Sequence, residues 1–516
     1  MSKKTILLLI IWLIVLNLPY IFGYLNQPDD LVFGGFLINP IDGNSYLAKI
    51  QQGYSGNWFF QLPYTSQENS DVLLFVFYNL IGHISRIFNL SPLFAFHLFR
   101  FLISIFLFYS IGEFLNHFHF HERLIKDSIF TILIFGSGLG WLYLFSGDLP
   151  ADFWVSEAYP FLSAFTNPHF PLAISLMLWT IIYLFKQVST KLQLFILFLI
   201  GFVLANLSPF AAIISGVLLI INIYLNWNEN RIKSFLPVIC FAFGSAPIAI
   251  YQFISIKSDP VLAGWNSQNV TPAPNLINFL FSFSPFIIGL LIFIILNKFH
   301  KFLSFSKQEF LLLGWFVVAI IFVYLPFDLQ RRFLIGYYVP LTILFALFLD
   351  KWIKNHTVNL FKKLRIYFPI LFLFSILSNI IIISGAIFSI RSNSEKLYFP
   401  KYILTSSRWI KDNCLPNSVI LAGPETGLLL PSHTFSRTVY GHPFETVNSV
   451  LTREQLLQFF TDNNRSEEEK LLNKWNVNYI FYGREEKELG YPNVLDNLKK
   501  IYEDPSVLIY EVSKDE

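Results

Sequence analysis

Charge is scarce in this chain. Only 14% of its 516 residues are Asp, Glu, Lys or Arg, while 54% are hydrophobic and mean hydropathy is +0.53. Soluble domains carry about a quarter charged residues, so a freely soluble globular protein is excluded. A net charge of +3 gives no argument for a nucleic-acid partner. Cysteine is scarcer still. Cys240 falls in an apolar run and Cys414 in a polar tail, so no disulfide framework is implied. Walker motifs, glycine-rich phosphate loops and dinucleotide fingerprints are absent, which argues against a cytosolic nucleotide as direct donor. No internal repeat suggests a transporter built from two halves. The basic start, Met1-Ser2-Lys3-Lys4, leads into an apolar run that no small-residue cleavage site follows, so an uncleaved first span is expected. The lack of sorting signals points to a bacterial plasma membrane.

What is present is apolar sequence in long runs. Phenylalanine contributes 59 residues, which suits lipid-facing surface. Runs long enough to cross a bilayer, about 18–25 residues, lie near 5–24, 92–115, 125–146, 169–187, 191–206, 209–227, 234–256, 276–297, 308–326, 333–350 and 365–390. They predict a polytopic α-helical membrane protein with about eleven transmembrane helices. Asn206-Leu207-Ser208-Pro209 reads as a tight turn, with Pro209 starting the next helix. Alternate connections are basic: Arg123 and Lys126; Lys186 and Lys191; Arg231 and Lys233; Lys298, Lys301 and Lys307; and Lys351, Lys354, Lys362, Lys363 and Arg365. This positive-inside pattern places the N-terminus in the cytoplasm and the tail outside.

The outer face then carries a first loop (25–91), a second (147–168), a third (257–275), the segment Pro326 to Arg332, and the tail. Two domains are expected: a transmembrane domain over 1–390 and a small extracytoplasmic α/β domain over 391–516. Strand-like runs in the tail are Ser418 to Ala422, Arg437 to Tyr440, Val477 to Tyr482 and Val507 to Tyr510. Helical runs lie at Thr452 to Phe460 and Glu467 to Trp475, the first with a capping-box pattern at Thr452 to Gln455.

The first loop is the most informative stretch. It reads Asn39-Pro40-Ile41-Asp42-Gly43-Asn44-Ser45-Tyr46-Leu47, with Tyr46, Leu47, Ile50 and Tyr54 on one face of a predicted helix. Such a helix is expected to lie on the bilayer surface with Asp42 at its start. A second surface or half-inserted helix is expected within Asp71 to His83. A carboxylate held at a membrane surface can act as a base on a lipid-linked substrate, though Asp is also a preferred helix cap.

This layout resembles the GT-C superfamily of membrane glycosyltransferases, and within it the protein-mannosyltransferase and aminoarabinose-transferase branch. Asp42-x-x-x-Tyr46-Leu47 is similar to that branch's Asp-(Glu)-x-x-Tyr signature, with Gly43 where a second acidic residue is common. The resemblance implies transfer of a sugar from a polyprenyl-phosphate carrier to a lipid, glycan or protein acceptor on the outer face. Asp42 would be the base and Tyr46 a substrate contact.

Arg331 and Arg332 lie at an outer edge against the positive-inside bias. They either snorkel to headgroups or clamp the carrier phosphate with the guanidinium fork. Arg100 lies inside a predicted span, where an ionisable group usually faces a polar cavity; a structural salt bridge, for instance to an acidic residue of the first loop, is the expectation preferred over that. In the second loop, Glu157 and His169 stand among aromatics, where they could bind sugar hydroxyls, position the acceptor or ligate a divalent metal ion. No spacing fixes a metal site, and no cofactor is certain. The turn Gly441 to Thr446 could close over the site or be plain surface. A transporter or flippase of lipid-linked saccharides, or a non-catalytic assembly subunit, remains as an alternative.

Overall fold

The structure is a computed structural model and describes residues 2–186, 190–227, 231–296, 305–354, 359–462 and 464–512. Lys298 and Lys301, two of the expected inner charges, lie outside them. The described chain forms two compact units. One comprises Met1–Ile21, His97–Ala249 and Thr271–Phe388, and the other Phe22–Phe96, Ile250–Val270 and Ser389–Glu516.

The first unit is helical and apolar. Among the described residues, four helical stretches are long and apolar enough to cross a membrane: Lys3–Leu25, Pro92–Leu115, Ser234–Ser258 and Tyr367–Arg391. Two bent pairs raise the number to six: Arg123–Phe135 with Gly140–Ser146, bent by 47°, and Leu276–Phe283 with Phe286–Ile295, bent by 95°. His169–Phe185, Lys191–Leu207 and Pro209–Leu225 are apolar but have 17 residues each. That is about 26 Å of helix, short of an about 30 Å hydrocarbon core. Among the described residues four to six helices thus reach spanning length, and 17 residues stand at the lower end of the about 17–25 that a span needs. The Ser208-Pro209 break is as expected: Ser208 caps Pro209–Leu225 through Ala211 N–H, and Pro209 opens it.

Asp152 explains the first bend. Its buried carboxylate accepts from Ser137 Oγ at 3.0 Å and from the Gly138 and Gly140 N–H groups at 3.2 Å each. Those are amides that the interrupted helix would otherwise leave unpaired. Arg100 departs from expectation. It donates to the carbonyls of Leu16, Ala164 and Phe165 and to Asn17 Oδ1, and lies 4.2 Å from the Tyr20 ring. Among the described residues it has no carboxylate partner. Oxygen acceptors converging from two segments satisfy the guanidinium without a second buried charge.

In the second unit, strands β1 (Leu31–Phe33) and β2 (Tyr398–Pro400) pair antiparallel and tie the first loop to the tail. The tail then supplies β3 (Val419–Leu421), β4 (Arg437–Thr438), β5 (Tyr479–Tyr482), β6 (Lys499–Asp504) and β7 (Val507–Glu511). Their order is β4-β3-β5-β7-β6, with β3 parallel to both neighbours and β7 antiparallel to both of its own. Helix Ser449–Thr461 begins three residues before the expected capping box. Asn448, in a left-handed conformation at φ 52°, precedes it without a side-chain cap bond, and Thr452 instead bonds Val447 O from inside the helix.

Two helices of the first loop, Pro40–Ser55 and Val76–Ile87, cross closely because glycines meet backbone. A Cβ on Gly53 would lie 2.1 Å from Asn79 O, and one on Gly82 2.1 Å from Ile50 O. Leu47 and Ile50 are buried in this crossing. The face expected to rest on lipid therefore packs on protein, while the other side of Pro40–Ser55 meets helix Pro424–His433 of the tail.

Candidate functional site

Helix Pro40–Ser55 starts where Asn39, held left-handed at φ 48°, precedes Pro40. Asp42 sits in the first turn, where an acidic group favours the helix dipole. It is not the cap itself. Asn39 is the cap, accepting from Asp42 N–H and donating from Nδ2 to Asp42 Oδ2 at 2.5 Å. The other oxygen, Oδ1, lies 3.2 Å from His442 Nε2. His442 Nδ1 accepts from the backbone N–H groups of Phe444 and Glu445 at 3.1 and 3.2 Å. Two donors on Nδ1 assign the ring proton to Nε2, so His442 donates to Asp42. The Asp42 side chain is 41% exposed and that of His442 only 3%, so a fixed donor presents an accessible carboxylate.

The turn bearing His442 is anchored through Glu445. Lys49 Nζ lies 2.7 Å from Glu445 Oε1 and also donates to Ser45 Oγ. Ser45 in turn donates to Glu445 at 2.5 Å. Burial pushes the Glu445 carboxyl up, but the Lys49 ammonium, the neighbouring His442 ring and the bonds from Lys49 and Ser45 outweigh it and hold it below the ordinary range. Burial and the nearby Glu445 and Asp42 raise Tyr64 well above the ordinary phenol range. Tyr46 stacks on Tyr78 with centroids 4.7 Å apart, and its ring lies 5.8 Å from Lys49 Nζ.

In the first unit, the structure brings together three residues that the sequence singled out separately. Glu157 Oε1 lies 3.3 Å from Arg331 Nε and 3.6 Å from Arg332 Nη1. Arg331 stacks 4.3 Å over Trp154, and Arg332 lies 5.8 Å from the Phe170 ring. The Glu157 carboxylate is buried and Arg332 is the more exposed of the two arginines. His169 opens helix His169–Phe185 with its ring against Phe170. None of the hydrogen bonds or ion pairs described here joins it to Glu157.

No family model matches the chain, and no curated protein matches it significantly. Solved structures do. The Archaeoglobus fulgidus oligosaccharyltransferase, tethered to an acceptor peptide, matches 93% of this chain and 69% of its own length, with TM-score 0.51 and 12% identity. The arabinofuranosyltransferase AftD from Mycobacteria matches the whole of this chain with TM-score 0.51 and 11% identity, and the match covers 40% of AftD. Both are GT-C glycosyltransferases. This chain has the GT-C fold. ArnT from Cupriavidus metallidurans, bound to undecaprenyl phosphate, matches at TM-score 0.49 and 10% identity over 99% of this chain and 98% of its own.

Within this fold, Asp42 and His442 supply two potential metal donors. No group of three or more His, Cys, Asp or Glu side chains occurs among the described residues in a position to hold an ion. The donor set does not make a divalent-cation site by itself, and no step below is routed through one. The sequence singles out the turn Gly441 to Thr446, but not the partners of its His442 and Glu445, which meet Asp42, Ser45 and Lys49 across about 400 residues of chain.

Replacing Lys49 by Met should leave Glu445 as an unpaired buried charge and cost about 3–5 kcal/mol. The folded Glu445 carboxyl is depressed, so the pair's stabilisation is present above the ordinary carboxyl value and lost as pH falls through the folded one. Thermal unfolding of the detergent-solubilised protein across pH 3–7 should show this acid-side loss in the wild type and not in Lys49→Met. Equal stability of the two proteins at neutral pH would show that the pair contributes nothing.

Proposed function

We propose that this chain moves a sugar from a polyprenyl-phosphate carrier to an acceptor on the outer face of a bacterial plasma membrane, with Asp42 as the base. The observation that carries the reading is the accessible Asp42 carboxylate fixed by Asn39 on one oxygen and His442 on the other. Each oxygen keeps a lone pair after these bonds. The acceptor hydroxyl or amine gives its proton to Asp42 as it attacks the anomeric carbon. The bond from that carbon to the phosphate oxygen breaks, and the phosphate carries the electron pair away on its lipid. A phosphate is a good leaving group, so a single carboxylate suffices, in contrast to the paired acids of glycosidases.

Arg331 and Arg332 are proposed to bind the carrier phosphate. Two guanidiniums around one buried Glu157 carboxylate leave an excess of positive charge, and the guanidinium fork matches phosphate oxygens. The carrier is thereby recognised at its phosphate, consistent with the lack of any nucleotide-binding motif. In this topology eleven spans place the N-terminus in the cytoplasm and the 391–516 domain outside, as the alternation of basic connections requires. Membrane lipids surround the spans, and a lipid, glycan or protein serves as acceptor.

Asp42→Asn keeps shape and removes basicity, so turnover should fall by at least about 100-fold, within the general-base range, at unchanged unfolding temperature. Near-full transfer by Asp42→Asn would move the base elsewhere. Changing Arg331 and Arg332 together to Lys keeps the charge and loses the fork. Binding of a polyprenyl phosphate, followed by fluorescence quenching in micelles, should weaken while the protein stays folded. Undiminished binding in the double Arg→Ala variant rules the clamp out.

A further inference from the structure

A cavity of about 700 Å3 opens in the second unit, apart from Asp42. It lies along the C-terminal half of helix Pro40–Ser55, at Ala48, Gln52, Tyr54 and Ser55, and continues onto the tail at 416–417, 431 and 434–437. Asp42 is in the first turn of the same helix, and ten residues of α-helix span about 15 Å. Neither Asp42, His442 nor Glu445 lines the cavity. Its volume falls within the about 300–1,000 Å3 of built small-molecule sites.

The walls are fixed by bonds that the side chains make among themselves. Gln52 clasps the Gln61 backbone, donating to its carbonyl at 2.6 Å and accepting its N–H at 3.2 Å. Gln61 Nε2 donates to Asp71 at 2.9 Å. Arg437 is held by Asn417 O, Ser66 O and Glu68. Behind the lining rings of Tyr54 and Phe435, Lys411 Nζ lies 4.7 and 4.6 Å from their centroids. The Tyr54 hydroxyl and the side-chain amides of Asn57 and Asn417 take part in no hydrogen bond described among these residues, and Phe59 is an exposed aromatic on the rim.

Hydroxyls and amides both donate and accept, and aromatic faces take up C–H surface. That combination matches a ligand whose polar groups are also both donors and acceptors and whose rings carry apolar faces, which describes a sugar. A peptide backbone, by contrast, would be expected to seek an open strand edge, and the edge strand beside the cavity, β4, already gives its outward Thr438 N–H to Pro63 O at 2.9 Å. We propose that this cavity binds an oligosaccharide of two or three sugars at a site separate from the transfer site. The proposal stands on the cavity and not on the role of Asp42.

The test uses the full chain in detergent micelles with three probes, maltotriose, mannotriose and a galacturonic acid trimer, alongside peptides of similar length. At least one trisaccharide should bind saturably by calorimetry or ligand-observed NMR. Asn57→Ala and Asn417→Gly should each weaken that binding by at least about tenfold, a clear step in affinity. Glycine suits the left-handed backbone of Asn417, at φ 62°, so the variant should fold, and an unchanged unfolding temperature checks it. Asp42→Asn should leave binding intact even if it abolishes transfer. The proposal is overturned if no trisaccharide binds, if only peptides bind, or if the amide variants bind as the wild type does. Loss of binding in Asp42→Asn would overturn it too, since the sugar would then sit at the transfer site.

Discussion

A lysine ammonium with 1% side-chain exposure is the constraint on which the candidate site depends. Lys49 Nζ is enclosed by the rings of Phe75, Phe60 and Tyr46 at 4.4, 5.7 and 5.8 Å. A charge so enclosed costs several kcal/mol unless it is paired, and cation–π attraction offsets only part of this. Glu445 completes the compensation. Fixing Glu445 fixes the turn from Gly441 to Thr446, and the turn's amides fix the tautomer of His442. His442 then aims a single N–H at Asp42. The Lys49–Glu445 and His442–Asp42 contacts both join the first loop to the tail, so neither segment forms this arrangement alone.

The same dependence gives Tyr46 a definite place. It stacks on Tyr78 and forms one wall around Lys49. The spacing from Asp42 to Tyr46 therefore links the exposed carboxylate to the buried cation on one helix. In the first unit the chemistry is the reverse: one buried carboxylate, Glu157, gathers two guanidiniums, and aromatic rings back them. The two units thus hold different charge patterns: a carboxylate met by a ring N–H in the second, and a carboxylate met by two guanidiniums in the first. The GT-C fold is shared with structures only 11–12% identical to this chain, so these particular side chains have to be read from this chain.

Much of the local structure was legible in the sequence. The helix at Pro40, the break at Pro209, and the strands at 419–421, 479–482 and 507–511 follow from caps, proline and β-branched runs. Glu157, Arg331 and Arg332 were each conspicuous, although nothing in their spacing joined them. What escaped was long-range. The pairings of Asp42 with His442 and of Lys49 with Glu445 cross about 400 residues, and no periodicity encodes such a distance. The strand at Lys499–Asp504 escaped because its polar composition carries no alternation. Lipid contact was wrongly expected for Leu47 and Ile50, because an amphipathic face looks the same whether it meets lipid or a second helix. Only the glycines at 53 and 82 hint at the close partner.

The claim that His442 acts through Asp42 is tested most directly by a double-mutant cycle on sugar transfer in reconstituted proteoliposomes. The proteins are wild type, Asp42→Asn, His442→Ala and the double variant, each supplied with a synthetic polyprenyl-phosphate sugar. If His442 serves only to hold the carboxylate, His442→Ala slows the wild type but adds nothing to Asp42→Asn, and the losses are strongly non-additive. Losses that simply add, or an Asp42→Asn protein that transfers at the wild-type rate, would contradict the account.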